Sequence, residues 1–135
     1  TALTLAAKNG IDVKIITPHI PDKWYVHMVT RAYYEQLIEA GVSIYEYEPG
    51  FIHSKNFVCD DEIGVVGTIN LDYRSLYLHF ECGVLMYKTE AIKDIKEDFL
   101  NTLKKSKKIS IEDTRKIKWA DKFITAILRV FAPLM

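Results

Sequence analysis

Short runs rich in β-branched and aromatic residues alternate along this chain with longer segments of helical periodicity. The runs predicted as strands are Val13 to Thr17, Val42 to Tyr47, Phe51 to Val58, Ile63 to Gly67 and Cys82 to Tyr87. The segments predicted as helices are Ala2 to Lys8, Trp24 to Ala40, Ala91 to Lys105 and Asp113 to Phe131. Strands that alternate with helices around a small apolar core predict an α/β layered fold.

Length and composition indicate an ordinary globular domain. The chain has 135 residues, of which 49% are hydrophobic and 27% charged. No run of 18 apolar residues is present that could span a bilayer. The two cysteines do not make a disulfide framework, which favours a reducing compartment, and neither has CxxC or Cys/His zinc spacing. Because the chain opens with Thr1 rather than Met, we expect a fragment of a longer protein.

The 18 basic and 18 acidic residues cancel overall but are unevenly distributed. Residues 1–103 carry 9 basic and 15 acidic groups, whereas residues 104–135 carry 9 basic and 3 acidic groups. The stretch from Lys104 to Lys108 is predicted to be an exposed connector between helices. The last helix has a broad apolar face, so it is either an interfacial helix drawn to anionic lipid or a helix packed on the protein with a hydrated basic edge.

The stretch from His53 to Glu81 places groups suited to phosphate chemistry at strand-like spacings. His53 and Lys55 are two residues apart, as are Thr68 and Asn70, and each pair shares a face if it lies on a strand of a hairpin. Lysine and asparagine donate hydrogen bonds to phosphate oxygens. A histidine can attack phosphorus when another group fixes its tautomer, a role predicted for Glu81.

The same stretch resembles the HKD motif of the phospholipase D superfamily, whose pattern is H-x-K, four residues, D, six residues, then G-[ST]-x-N. The matching residues are His53, Lys55, Asp60, Gly67, Thr68 and Asn70. Glu81 matches the family's downstream acidic residue, and the flanks EAGVSIYEYEPGFIHSK and VVGTINLDYRSLYLHFE are similar to the C-terminal half of bacterial cardiolipin synthases. Thr68 stands where much of the superfamily has serine, and the chain holds one HKD motif where the family uses two.

The resemblance implies a phospholipase D-like layered fold, in which a mixed β-sheet is flanked by helices. Residues 1–135 would form a single half-domain, the second and C-terminal one of a longer protein, with a basic amphipathic helix over 110–135. The implied reaction transfers a phosphatidyl group from one phosphatidylglycerol to another through a phosphohistidine and releases glycerol. The implied catalytic residues are His53, Lys55, Asp60 and Glu81, and the implied phosphate-binding residues are Lys55, Thr68 and Asn70.

The implied partners are phosphatidylglycerol, other anionic phospholipids and the N-terminal HKD half of the same protein, with a homodimer as an option for the isolated chain. No nucleic acid, metal or cofactor is expected. The implied location is the bacterial cell membrane, as a peripheral, cytoplasm-facing domain of a membrane-anchored protein. Two alternatives stay open: a single-HKD phosphodiesterase or nuclease that acts as a homodimer, and a lipid-binding module without turnover of its own.

Further side chains have less specific interpretations. His19 follows Pro18 at the end of a predicted strand, where it is either structural or at the mouth of a pocket. Asp72 and Arg74 are predicted to form an ion pair that holds the loop after the motif. His79 is predicted to be structural.

Overall fold

The computed structural model describes residues 1–116 and 124–128. These residues form two compact units, Thr1–Ile52 with the described chain from Ser106 onward, and His53–Lys105. In chain order the elements are α1 (Ala2–Lys8), β1 (Lys14–Pro18), α2 (Trp24–Ala32), α3 (Tyr34–Glu39), β2 (Ser43–Tyr47), β3 (Asn56–Cys59), β4 (Ile63–Gly67), a π-helix (Arg74–Leu78), β5 (Gly83–Tyr87), α4 (Ala91–Lys104), β6 (Ser106–Lys108) and α5 (Ile111–Arg115). The predicted α/β class is confirmed.

The first unit is built on a three-stranded sheet in the order β1–β2–β6. Strand β1 runs parallel to β2, and β6 runs antiparallel to it, so the sheet is mixed. The core of this unit consists of Tyr34, Val42, Ile44 and Ile109. Strand β2 alternates between buried and half-buried positions, and its buried face carries both Ile44 and Glu46. A carboxylate therefore lies beside the apolar core.

The second unit is an antiparallel sheet in the order β3–β4–β5, with α4 packed on one face. Asp60 and Asp61 join β3 to β4 with φ angles of 52° and 60°, the left-handed backbone that a type I′ turn requires. The turn is closed by a hydrogen bond from Glu62 N to Cys59 O at 3.1 Å. The predicted hairpin is thus confirmed, and its twist matches that of its strands.

The predicted helix over Trp24 to Ala40 is two helices, which is a correction to the sequence analysis. Helix α2 ends at Ala32 and α3 begins at Tyr34. The Thr30 hydroxyl donates to Val26 O at 2.9 Å, and Tyr33 N bonds to Thr30 O rather than continuing the α-helical ladder. The apolar period continues across this break, so periodicity alone does not reveal it.

The predicted strand from Phe51 to Val58 begins only at Asn56. His53 and Lys55 therefore precede β3, and the expectation that both lie on a strand is wrong. The physical reason is the length of β4, which ends at Gly67. The hydrogen bond from Gly67 N to Lys55 O, at 3.2 Å, is the last backbone hydrogen bond between the two segments in the described part of the chain. Pairing with β4 cannot extend further back than this bond.

The stretch predicted as an exposed connector, Lys104 to Lys108, is structured. Lys104 ends α4, and Ser106–Lys108 forms β6 against β2. Serine and lysine have little strand propensity, and the strand is held in place because Ile109, which follows it, is buried in the core.

The last predicted helix begins earlier than expected, at Ile111. Ser110 and Asp113 form a reciprocal capping box at its start, with Asp113 N donating to Ser110 Oγ at 3.2 Å. Of the predicted amphipathic helix over 110–135, residues 117–123 and 129–135 lie outside the described residues, and 124–128 are helical. Among the helices that the structure describes, none has the length and hydropathy needed to cross a bilayer.

Candidate active site

Lys55 lies at the entrance to the β3–β4 hairpin and folds back on the preceding chain. Its ammonium group donates to the His53 carbonyl oxygen at 2.7 Å. Since an ammonium group has three donors, two stay available for phosphate oxygens. Partial burial lowers the pKa of Lys55, while the negative charges of Glu81 and Asp72 act in the opposite direction. These carboxylates thus lie within electrostatic range of the lysine.

Glu81 is held by Thr68 where β4 gives way to the loop after it. The Thr68 hydroxyl donates to the Glu81 carboxylate and accepts a hydrogen bond from Cys82 N at 3.1 Å. The hydrogen bond from Thr68, followed by one from Ser75, lowers the pKa of Glu81, and the charges of His79 and Lys55 add to this effect. Glu81 is therefore an ionised acceptor, as an orienting carboxylate must be.

Gly67 allows β4 and β5 to approach closely beside this site. A Cβ atom at this position would overlap the Cys82 carbonyl oxygen and lie 2.7 Å from the Gly83 Cα. Both are backbone atoms, which cannot rotate away. The glycine of the motif thus brings Thr68 and Cys82 into hydrogen-bonding distance.

We expect Gly67→Ala to lower the free energy of unfolding by about 1–3 kcal/mol, because the added methyl group forces the two strands apart. Gly50→Ala is the matched control, since a Cβ there would meet no atom within 4 Å. Urea denaturation followed by circular dichroism measures both changes. Equal stability of the two variants would contradict the close approach.

Asp60 lies in the turn at the opposite end of the hairpin from Lys55. The intervening strand, Asn56–Cys59, separates the two residues by roughly 16 Å at about 3.3 Å per residue. The Asp60 carboxylate accepts a hydrogen bond from Cys59 Sγ at 3.4 Å. Within this unit Asp60 shapes the turn, and the structure does not bring it to Lys55 and Glu81.

His53 and Asn70 are both exposed on the second unit. Asn70 follows β4 by three residues, just beyond Thr68. The structure joins Thr68 to Glu81 by a hydrogen bond and places Lys55 within electrostatic range of Glu81. The contact of Glu81 with the His53 ring and the phosphate contact of Asn70 stay predictions.

The loop after the motif contains a site residue that the sequence analysis missed. Ser75 is buried, and its hydroxyl helps to lower the pKa of Glu81. Its N–H donates to Asp72 Oδ1 at 2.7 Å, which starts the π-helix Arg74–Leu78. The i, i+3 spacing of Asp72 and Ser75 is typical of an N-terminal helix cap and was the available signal.

The predicted ion pair between Asp72 and Arg74 is wrong. Arg74 Nε instead donates to His79 Nε2 at 2.7 Å, across the single turn of π-helix. Asp72 is engaged by the backbone of Ser75, because a carboxylate at the start of a helical turn satisfies an N–H group that has no partner within the helix. The predicted structural role of His79 agrees with this contact, which closes the loop behind Glu81.

The fold and the motif place the chain in the phospholipase D superfamily. Residues 1–103 match the family model described as "Cardiolipin synthase, PLD-like domain", and the chain belongs to this family. Over its whole length it is 39% identical to a cardiolipin synthase of Halalkalibacterium halodurans and 40% identical to one of Geobacillus sp. strain WCH70, and it covers 27% of each. An uncharacterized protein of Streptococcus mutans is 50% identical over 99% of the chain, which covers 29% of that protein.

A solved structure shows the same fold. The phosphatidylserine synthase of Haemophilus influenzae matches 98% of this chain with a TM-score of 0.62 and 19% sequence identity, and the match covers 35% of that chain. The predicted phospholipase D-like fold is thereby confirmed. The chain spans less than a third of the length of the curated relatives it matches.

Proposed function

We propose that this chain supplies one of the two HKD halves of a phosphatidyltransferase that makes cardiolipin and glycerol from two phosphatidylglycerol molecules. The observation that carries the proposal is the Thr68–Glu81 hydrogen bond, with Lys55 in electrostatic range of Glu81, within a complete motif. It occurs in a chain that is 39–40% identical from end to end to proteins named cardiolipin synthase. The site offers a histidine, an ammonium group and an ionised carboxylate, which together suit displacement at a phosphodiester.

The reaction would proceed in two displacements. A motif histidine attacks phosphorus, the phosphorus–oxygen bond to glycerol breaks, and the histidine of the other motif donates a proton to the departing glycerol oxygen. The second histidine then removes a proton from a hydroxyl of the incoming phosphatidylglycerol. That hydroxyl attacks the phosphohistidine, and the first histidine is released as cardiolipin forms.

The chain's own residues divide this work. Lys55 would place its two available N–H donors on phosphate oxygens and offset the charge that builds in the transition state. Asn70 would add an amide donor. Because the Thr68 hydroxyl already donates to Glu81, Thr68 would act as a positioning residue rather than a phosphate ligand. Glu81 would in turn orient the His53 ring and stabilise its protonated form.

An exposed apolar face on the second unit supports pairing with another protein surface. Helix α4 covers one face of the sheet, and alternation along the strands places Ile63, Val65, Leu85 and Tyr87 on the other. Leu85 is 73% exposed and Tyr87 is 61% exposed. We propose that the N-terminal HKD half of the same protein binds here, because contiguous apolar surface of this kind marks an interaction site.

The lipid substrate bears on location. A phosphatidyl donor and acceptor both reside in a bilayer, so we propose that this domain works at the bacterial cell membrane as the cytoplasm-facing part of a membrane-anchored protein. Phosphatidylglycerol and other anionic phospholipids would be its ligands.

The proposal predicts that the chain by itself forms little or no cardiolipin from phosphatidylglycerol vesicles. One motif supplies one histidine, whereas the reaction needs a nucleophile and a separate acid. Co-expression with the remainder of the longer protein should restore turnover, measured by thin-layer chromatography of radiolabelled lipid. Leu85→Lys should prevent this restoration, whereas Leu5→Lys, at a 60% exposed leucine of the first unit, should not.

Three outcomes would count against this account. Robust turnover by a strictly monomeric sample of the chain would contradict the need for a second motif. Cardiolipin formation that rises with dimer concentration would favour a site completed by a homodimer of this chain, and lipid binding without turnover even after co-expression would favour a lipid-binding module.

A further inference from the structure

A cavity of about 200 Å³ opens on the first unit, outside the residues of the HKD motif. Its wall includes three basic side chains, His19, Arg31 and Lys107, and two acidic ones, Glu46 and Asp113. His19 therefore lies at a pocket, one of its two interpretations from the sequence. Since a water molecule occupies about 30 Å³ in the liquid, the cavity has room for a small polar group.

Both carboxylates in the wall are already satisfied by protein donors. Glu46 is 1% exposed and receives hydrogen bonds from Arg31 Nε at 2.8 Å and Arg31 Nη2 at 2.7 Å. Asp113 accepts from Ser110 N at 3.2 Å and from the Lys116 ammonium group at 3.3 Å. Neither carboxylate needs a further cation, so the cavity is poorly suited to a metal ion.

The buried carboxylate fixes the orientation of the His19 ring. His19 Nδ1 lies 2.8 Å from Glu46 Oε2, while 46% of the His19 side chain stays exposed. The Tyr34 hydroxyl donates to the other oxygen of Glu46 at 3.3 Å, which completes the shell around the carboxylate. Because Nδ1 is hydrogen-bonded to Glu46, the Nε2 atom of the ring is the one left to contact a ligand.

The remaining donors of the wall belong to Lys107 and Arg31. Lys107 lies on β6 directly opposite Glu46 and is exposed, and its ammonium group forms no ion pair with any residue in the described part of the chain. Arg31 commits Nε and Nη2 to Glu46, so the N–H groups of Nη1 stay available at a side chain that is 41% exposed.

We propose that this cavity binds a phosphate group, held by Lys107, the uncommitted N–H groups of Arg31 and Nε2 of His19. Lys107 and Arg31 are charged donors, and hydrogen bonds to Glu46 hold the Arg31 and His19 side chains in place. The phosphate would come either from free phosphate in solution or from a phospholipid headgroup. The site would be additional to the HKD motif, and its test requires no turnover.

The test measures binding by isothermal titration calorimetry of the longer protein that carries this chain. The ligands are inorganic phosphate and glycerophosphoglycerol, the water-soluble headgroup of phosphatidylglycerol. Lys107→Gln should weaken binding of at least one of them about tenfold, because one charged donor is lost. Lys108→Gln is the matched control, because Lys108 lies over the Tyr45 ring and not in the cavity wall, and the HKD motif is intact in both variants.

His19→Gln provides a second variant, since its amide can still donate to Glu46 while the open ring nitrogen is removed. It should weaken the same ligand several-fold. If the two variants bind only inorganic phosphate more weakly, the cavity is a site for free phosphate. If they also bind glycerophosphoglycerol more weakly, it is a site for a phospholipid headgroup. Affinities that are equal in Lys107→Gln, Lys108→Gln and the parent would overturn the proposal. Because Lys107 is exposed, the variant should fold, which unchanged urea denaturation would verify.

Discussion

Replacing His53 with asparagine in the two-motif protein should lower the rate of cardiolipin formation by at least about a thousandfold. In the proposed mechanism each motif histidine acts in both displacements, as nucleophile and leaving group or as acid and base. Glu81 is a poor substitute for either role, because its carboxylate is engaged by Thr68 and its pKa is lowered. Initial rates with radiolabelled phosphatidylglycerol measure the loss.

His27→Gln is the control for this substitution. His27 lies on α2 in the first unit, where burial lowers its pKa, and it belongs to no part of the motif. Its replacement should leave the rate within a few-fold of the parent. A His53→Asn protein that kept a tenth of the parent rate would contradict the proposed role.

The largest expected effect on stability comes from Arg31→Met, which should lower the free energy of unfolding by about 3–5 kcal/mol. The substitution removes both guanidinium hydrogen bonds from Glu46 and leaves a carboxylate that is 1% exposed without its main partner. Arg115→Met is the matched control: its ion pairs with Glu35 and Glu39, at 3.1 and 3.2 Å, are solvent-exposed, so it should cost less than about 1 kcal/mol. Urea denaturation compares the two.

The hydrogen-bonded pair of Arg31 and Glu46 also makes the free energy of unfolding depend on pH. Burial alone would raise the pKa of Glu46, but the hydrogen bonds from Arg31 and His19 outweigh it and leave the pKa lowered. The stabilisation is therefore present above the pKa of a glutamate in the unfolded chain, about 4.3, and is lost as the pH falls through the folded-state value. The stability difference between the parent and Arg31→Met should accordingly shrink toward acid pH. A difference that is constant from pH 7 to pH 3 would contradict this origin.

The sequence predicts the fold class and the residues of the motif better than it predicts where individual helices and strands begin and end. Alternating β-branched runs identify five of the six strands. Strand β6 is not predicted, because Ser106, Lys107 and Lys108 have no strand pattern and form a strand only by pairing with β2. The break between α2 and α3 is not predicted either, because apolar residues continue at helical spacing on both sides of Tyr33.

Motif spacing likewise gives the members of the candidate site but not their division of roles. Thr68 and Glu81 are thirteen residues apart, and only the close approach of β4 and β5 at Gly67 brings them into contact. Asp60 shares the motif with Lys55 yet lies in the turn at the other end of the hairpin. The carboxylate network of Glu46 has no sequence signal, because Arg31 and His19 come from separate elements and a glutamate in a strand pattern is ordinarily exposed.

The most direct test of the proposed transfer is the product balance of the two-motif protein on phosphatidylglycerol vesicles, with separate labels on the acyl chains and on the headgroup glycerol. The account predicts one cardiolipin and one free glycerol for every two phosphatidylglycerol molecules consumed, with little phosphatidic acid. Phosphatidic acid and glycerol in equal amounts without cardiolipin would contradict it, because the phosphatidyl group would then pass to water rather than to a second lipid.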